Sequence, residues 1–266
     1  DTRFIARGGS RLGIYFLETG AAQRPSKVIY DRAHSAIAEA DPGDFNWEEI
    51  FAGASWFHFT GITPALSANT KAIVLEACRK AKEMGLTVSA DLNYRQKLWT
   101  PQEANAAMSR LMPYVDVCIG NEEDAEKVFG IKAAHTDVRK GEIHHAAYEE
   151  VARQLQERFG FKYVAITLRE SLSASDNGWS AMLYDGQASY FSRRYPIHLV
   201  DRVGGGDSFA AGLIYGLLTG LEPQAALEFA VAASALKQTI PGDFNLVSKK
   251  EVETLMKGDA SGRVQR

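Results

Sequence analysis

Short apolar runs take turns with longer amphipathic stretches along most of this chain, and their order predicts its elements. Gly13 to Glu18 and Lys27 to Ala33 are β-type runs separated by a Gly- and Pro-containing turn, Gly20 to Ser26. With no helical pattern between them, they predict an antiparallel pair. From residue 45 the rhythm changes. A helix near Asn46 to Phe51 precedes an aromatic strand, Ser55 to Gly61, and the amphipathic helix Ser67 to Met84 leads to the strand Thr87 to Leu92. Pro101 opens a helix to Met112 that leads to Val115 to Gly120, and His145 to Phe159 leads to Tyr163 to Leu168. Apolar strands separated by helices imply a mostly parallel sheet covered on both faces, an α/β fold. Trp179 to Tyr184 and Ala188 to Tyr195 predict a hairpin around Asp185-Gly186. The last three patterns, Ser208 to Thr219, Glu222 to Gln238 and Ser248 to Met256, are helical.

Composition adds exclusions. A net charge of −3, with 45% hydrophobic and 24% charged residues among 266, describes an ordinary globular chain. No basic excess points to nucleic acid, and no polybasic run points to a membrane surface. The longest apolar stretches, such as Phe229 to Leu236, are too short to span a bilayer. Cys78 and Cys118 sit in separate apolar segments without metal-ligand spacing, so both are expected to be reduced core residues of a cytoplasmic protein. His34, His58 and the pair His144-His145 also lack ligand spacing and are expected to be structural or exposed. The opening Asp1-Thr2-Arg3-Phe4-Ile5 reads like the middle of a domain, as in a processed chain or a fragment.

Candidate chemistry concentrates in Asp201-Arg202-Val203-Gly204-Gly205-Gly206-Asp207. A glycine-rich turn feeding a helix presents unpaired N–H groups and the positive end of the helix dipole to an anion. A carboxylate there can take a proton from whatever attacks that anion, or it can simply cap the helix. Three glycines in a row exceed what a cap needs. Three other polar clusters fall at predicted strand ends: Asp91 to Arg95, Gly120 to Asp124, and Thr167 to Arg169. Ligands of open α/β sheets bind beyond the carboxyl ends of strands. No Gly-x-x-x-x-Gly-Lys-[Ser/Thr] string exists, which excludes a P-loop.

The glycine loop resembles the C-terminal signature of the PfkB (ribokinase-like) carbohydrate kinases, usually Asp-Thr-x-Gly-Ala-Gly-Asp. Asn121-Glu122-Glu123-Asp124 is similar to that family's Asn-x-x-Glu motif, with Asp124 where Glu is commoner. Within the family the chain most resembles kinases of 2-keto-3-deoxygluconate. That likeness rests on Tyr30 to Ala36, Asp91 to Arg95 with Leu98-Trp99, and Gly242 to Asn245. The resemblance implies a three-layer sandwich around a mostly parallel sheet, residues 38–266, with residues 1–37 forming part of a small β-sheet lid. It implies ATP and Mg2+, a sugar-acid substrate, Asp207 as general base, and Gly204, Gly205 and Gly206 as an anion hole. Tyr15, Tyr30, Arg32 and Arg95 would bind the substrate, a planar guanidinium suiting its carboxylate. Asn121, Thr167, Gly206 and Gly242 would touch the nucleotide, with Asn121 and Glu123 near the metal, directly or through water. The lid often serves as a dimer surface in this family, so a homo-oligomer is also expected.

The chain departs from the family in three places. Arg202 and Gly205 replace the usual Thr and Ala, and no Gly follows Thr167, which leaves a monovalent cation around Asp201 an open point. The family's first strand and Gly-Gly-x-x-x-Asn motif have no counterpart, so the sugar pocket is expected to lack one wall within this sequence. Two other readings stay open: a kinase of a neutral sugar such as fructose or ribose, and a catalytically silent nucleotide- or sugar-acid-binding protein.

Overall fold

The computed structural model describes residues 2–121, 123–132 and 145–258; Glu122 and His144 lie outside them. The described residues of Asp1–Glu18, Lys27–Ala134 and Ala146–Ala165 form one compact unit, and those of Thr19–Ser26, His135–His145 and Ile166–Arg266 form a second.

In the first unit, β1 (Ile14–Glu18) and β2 (Lys27–Asp31) pair antiparallel with Tyr15 opposite Tyr30, as expected. The helix α1 (Trp47–Phe51) starts at Asn46, whose Oδ1 accepts the Glu49 N–H. Strands β3 (Trp56–Thr60), β4 (Thr87–Asp91) and β5 (Val117–Asn121) run parallel, with Trp56 opposite Thr87 and Ser89 opposite Val117. Val88, Ala90, Val117, Cys118 and Ile119 are almost fully buried, the continuous apolar run that a covered parallel sheet requires. A short helix, α2 (Thr63–Leu66), precedes α3 (Ala68–Glu83). Ser67 caps α3, and its buried Ile73, Val74, Ala77, Cys78 and Ala81 make one helical stripe. The helix α4 (Pro101–Leu111) begins with a capping box, Thr100 and Glu103 each accepting the other's N–H at 2.8 and 3.2 Å. Next come α5 (Asp124–Phe129) and α6 (His145–Phe159). At the N-terminal edge of the strands, the carboxylate of Asp116 accepts Lys82 Nζ at 2.7 Å and the Val88 N–H at 2.9 Å. That edge is thereby tied down structurally.

The strand β6 (Tyr163–Ser171) contributes residues to both units. In the second unit, β7 (Asp176–Tyr184) pairs antiparallel with β8 (Ser189–Phe191) and with β9 (Tyr195–His198). The hydrogen-bonded order is β3-β4-β5-β6-β7-β8, with β9 on β7. Two expectations are corrected here. The predicted second arm of the hairpin, Ala188 to Tyr195, is two strands: it breaks at Ser192 to Arg194, where the Arg194 guanidinium is clamped by Glu170 over the bare backbone of Gly178. Also, β6 continues past Leu168 to Ser171, so Thr167 to Arg169 lie inside a strand rather than at its end.

Three helices complete the second unit: α7 (Gly205–Leu218), α8 (Pro223–Lys237) and α9 (Lys249–Met256). The start of α7 is three residues earlier than the sequence pattern suggested, so two of the loop's glycines are helical. An added Cβ on Gly212 or Gly216 would lie 2.8 Å from the Cα of Ala230 or Ala226, so α7 and α8 meet backbone to backbone. Among the described residues no helix is long and apolar enough to cross a membrane.

Candidate active site

The candidate residues divide between the two units, and each half has its own geometry. In the first unit, Tyr30, Arg32, Tyr94, Arg95, Asn121, Glu123, Asp124 and Lys127 line a hollow of about 1130 Å3. Arg32 lies over the Tyr30 ring, its Cζ 3.9 Å from the centroid, a cation–π contact that holds the guanidinium. Arg95 Nη1 donates to the Tyr94 carbonyl at 3.2 Å. Lys97 and Lys127 also line the hollow, while Asp31 is engaged by Arg11 at 2.7 Å. The basic side chains Lys27, Arg32, Arg95, Lys97 and Lys127 suit an anionic group, although the acids Glu39, Glu123 and Asp124 line the hollow as well. Tyr15 is not part of this lining; its ring lies 6.4 Å from that of Tyr30.

The ends of β4 and β5 are locked together by Asp124. One of its carboxylate oxygens accepts the Tyr94 N–H and the other the Asn121 N–H, both at 3.0 Å. In return, Asn121 Oδ1 accepts the N–H groups of Glu123 and Asp124 at 2.8 and 3.1 Å. Burial pushes the Asp124 carboxyl above its ordinary range, with Glu123 adding to the rise. The two N–H bonds and the nearby Arg95 oppose it. So Asp124 faces inward as a brace, and Glu123 is the exposed acid of the motif. Among the described residues no group of three His, Cys, Asp or Glu is placed to hold a metal. The donor set fits Mg2+ only with water or substrate oxygens completing its shell.

In the second unit, Gly204 caps α7 in the left-handed region at φ 78°. Gly205 donates its N–H to the Arg202 carbonyl at 3.3 Å. The N–H groups of Gly204, Gly206 and Asp207 meet no acceptor among the described residues, whereas that of Gly205 is already taken. Asp207 is exposed in the first turn of α7 and is not its cap. The carboxylate of Asp201 accepts the N–H groups of Val203 and Gly242, each at 3.0 Å, joining the glycine turn to the loop after α8. Thr167 is buried within β6.

The sequence reading overlooked what holds this turn. Ser234 and Lys237 of α8 and Gln238, which caps its end, are buried. Ser234 Oγ donates to the Gly205 carbonyl at 2.7 Å, the Gln238 backbone carbonyl accepts from Val200 and Asp201, and Lys237 Nζ donates to the Ile240 carbonyl at 3.3 Å. Polar residues spaced three and one apart on an otherwise apolar helix were the available signal.

Comparison with known proteins bears on the family and the fold. Residues 1–249 match the pfkB family carbohydrate kinase profile. A 2-dehydro-3-deoxygalactonokinase of Haloferax volcanii is 33% identical over 95% of this chain and 73% of its own length. The crystal structure of 2-dehydro-3-deoxygluconokinase from Thermotoga maritima is 55% identical, covers 97% of this chain and 77% of that one, and superposes with a TM-score of 0.93. An E. coli ribokinase-type chain solved with ATP and Mg2+ is 20% identical over 87% of this chain and 68% of that one, TM-score 0.68, and shares the fold. With a ribokinase-like α/β sandwich, a small antiparallel lid and a glycine turn opening α7, the chain belongs to the pfkB family of carbohydrate kinases.

Proposed function

We propose that this enzyme transfers the γ-phosphoryl group of ATP to 2-keto-3-deoxygluconate (equally, 2-dehydro-3-deoxygluconate), giving the 6-phosphate. The observation that carries the mechanism is the exposed carboxylate of Asp207 on a helix turn whose Gly206 and Asp207 amides meet no acceptor among the described residues. The sugar's terminal hydroxyl oxygen attacks the γ-phosphorus, its proton passes to Asp207, and the bond from phosphorus to the bridging oxygen breaks to release ADP. Amides of Gly204, Gly206 and Asp207, aided by the α7 dipole, stabilise charge on the transferred group. Mg2+ would arrive with the nucleotide and supply positive charge to its phosphates, and Asn121 and Glu123 would hold it, directly or through water. Thr167 and Gly242 contact the nucleotide. Arg32 and Arg95 bind the sugar carboxylate; Tyr30 holds Arg32 in place, and Tyr15 lies on the same lid. In this reading residues 1–37 form part of the lid and 38–266 the catalytic core of a cytoplasmic enzyme able to pair through the lid.

The Thermotoga maritima relative supports the gluconate-derived acid. A second reading, the C4 epimer 2-keto-3-deoxygalactonate, is favoured by the Haloferax volcanii relative. ADP release is measured with both acids, fructose and ribose, for the wild type and Asp207→Asn. The expected result is the highest kcat/KM with 2-keto-3-deoxygluconate and a loss of roughly 10²–10⁴-fold in Asp207→Asn. Equal turnover by Asp207→Asn would sink the base assignment, and preference for a neutral sugar would sink the substrate. Tight ATP binding without turnover would mark a silent binding protein.

A further inference from the structure

Lys237 has no exposed surface, which is rare for lysine unless its charge is matched. Its Nζ donates to the Ile240 carbonyl at 3.3 Å, and the carboxylates of Asp201 and Asp243 act on it electrostatically. Its Cε lies 3.2 Å from where a Cβ on Gly204 would stand, so the ammonium arm runs directly beneath the glycine turn. Asp201 in turn ties that turn to Gly242 through two backbone N–H groups. Burial alone pushes the ammonium below its ordinary range, and the two carboxylates pull it back.

An inorganic monovalent cation around Asp201 does not fit these residues. Both oxygens of Asp201 already accept backbone N–H groups, and Lys237 and the half-buried Arg202 already bring positive charge to it. A third cation would be repelled where little water screens it. We propose that Lys237 is the built-in cation of the glycine turn: its ammonium does the work of a bound monovalent ion, holding the amides of Gly204 to Asp207 in place, so that phosphoryl transfer by this chain needs no K+ or Na+. This rests on the kinase reading above. Lys237 touches no reactant in this account and is a positioning residue.

The test compares wild type and Lys237→Met in chlorides of K+, NH4+ and tetramethylammonium, the last too large to enter a cation site. ADP release and the melting midpoint are both read. Wild type is expected to show the same kcat, within about twofold, and the same midpoint in all three salts. Lys237→Met is expected to lose at least about tenfold in kcat in tetramethylammonium and to regain part of it in NH4+ or K+, with a midpoint that rises in those salts. Severalfold activation of wild type by K+, or a K+-dependent rise in its midpoint, would overturn the proposal. So would a folded Lys237→Met that no cation rescues, the result expected of a merely structural lysine. If Lys237→Met does not fold, Lys237→Gln takes its place, and the wild-type comparison decides by itself. Wild type that melts identically in all salts yet releases no ADP would count against the kinase reading and leave the cation assignment standing.

Discussion

Gly206→Ala separates stability from catalysis at the glycine turn. Gly206 lies in the first turn of α7, its φ is not left-handed, and nothing stands within 4 Å of an added Cβ. The folded chain therefore accepts a methyl group there, while the unfolded chain loses backbone freedom. Alanine for glycine in a helix stabilises by about 0.5–1 kcal/mol. At about 2–4 °C per kcal/mol for a chain of this size, the melting midpoint should rise by roughly 1–4 °C. Activity should move the other way. A methyl group in the space in front of the Gly206 and Asp207 amides keeps the transferring phosphoryl from reaching them, and loss of one such donor costs about 10²–10³ in kcat. Gly204→Ala is the contrast. There φ is +78°, and the new Cβ would sit 2.2 Å from the Asp243 carbonyl oxygen and 3.2 Å from Lys237 Cε. The left-handed conformation costs about 1–2 kcal/mol with a side chain, and the carbonyl must retreat by about 1 Å. Both midpoint and activity should fall. Scanning fluorimetry and a coupled ADP assay read the two quantities. A Gly206→Ala enzyme with wild-type kcat/KM would refute the assignment of these amides to the phosphoryl group, and a lowered midpoint would refute the open space described at that position.

Two further outcomes are expected. Asp124→Asn places an amide N–H against the backbone N–H of Tyr94 or Asn121, so the midpoint should drop by an amount equivalent to about 1–3 kcal/mol and the KM for the sugar acid should rise as Arg95 loses its support; an unchanged midpoint would contradict the bracing role. Burial pushes the Cys78 thiol up to about 12, and burial, with Asp91 and Asp124, pushes Cys118 up as well. Both thiols should therefore ignore a thiol reagent in the native state and react in denaturant. Their folded values exceed the unfolded value of about 8.5, so their contribution to stability is complete below that pH and is lost as pH rises through the folded values. Rapid labelling of the native protein would contradict this.

The alternation of strands and helices was legible because apolar runs such as Val117-Cys118-Ile119 and stripes such as Ile73-Val74-Ala77 carry their periodicity openly, and because Ser67 and Thr100 announce helix starts. Boundaries set by tertiary partners were not legible. Glycine has low helix propensity, so nothing local puts Gly205 and Gly206 inside α7; the grip of Ser234 on the Gly205 carbonyl does. Likewise Ser192 to Arg194 look strand-like until the Arg194–Glu170 pair is seen. At the site, the motif residues were legible as candidates for chemistry, whereas the inward turn of Asp124 depends on N–H groups donated by the loop after β4 and by the last residue of β5, which no local pattern encodes.

The backbone contact between α7 and α8 also bears on how the chain folds. Gly212 meets Ala230, and Gly216 meets Ala226, across a short connection from Leu218 to Pro223. Closing so short a loop takes little entropy, and the small residues need no rotamer sorting before they dock. The pair is thus among the first lasting contacts a refolding chain can make, and the helix that presents Asp207 would be in place before the strands of its sheet have found their order.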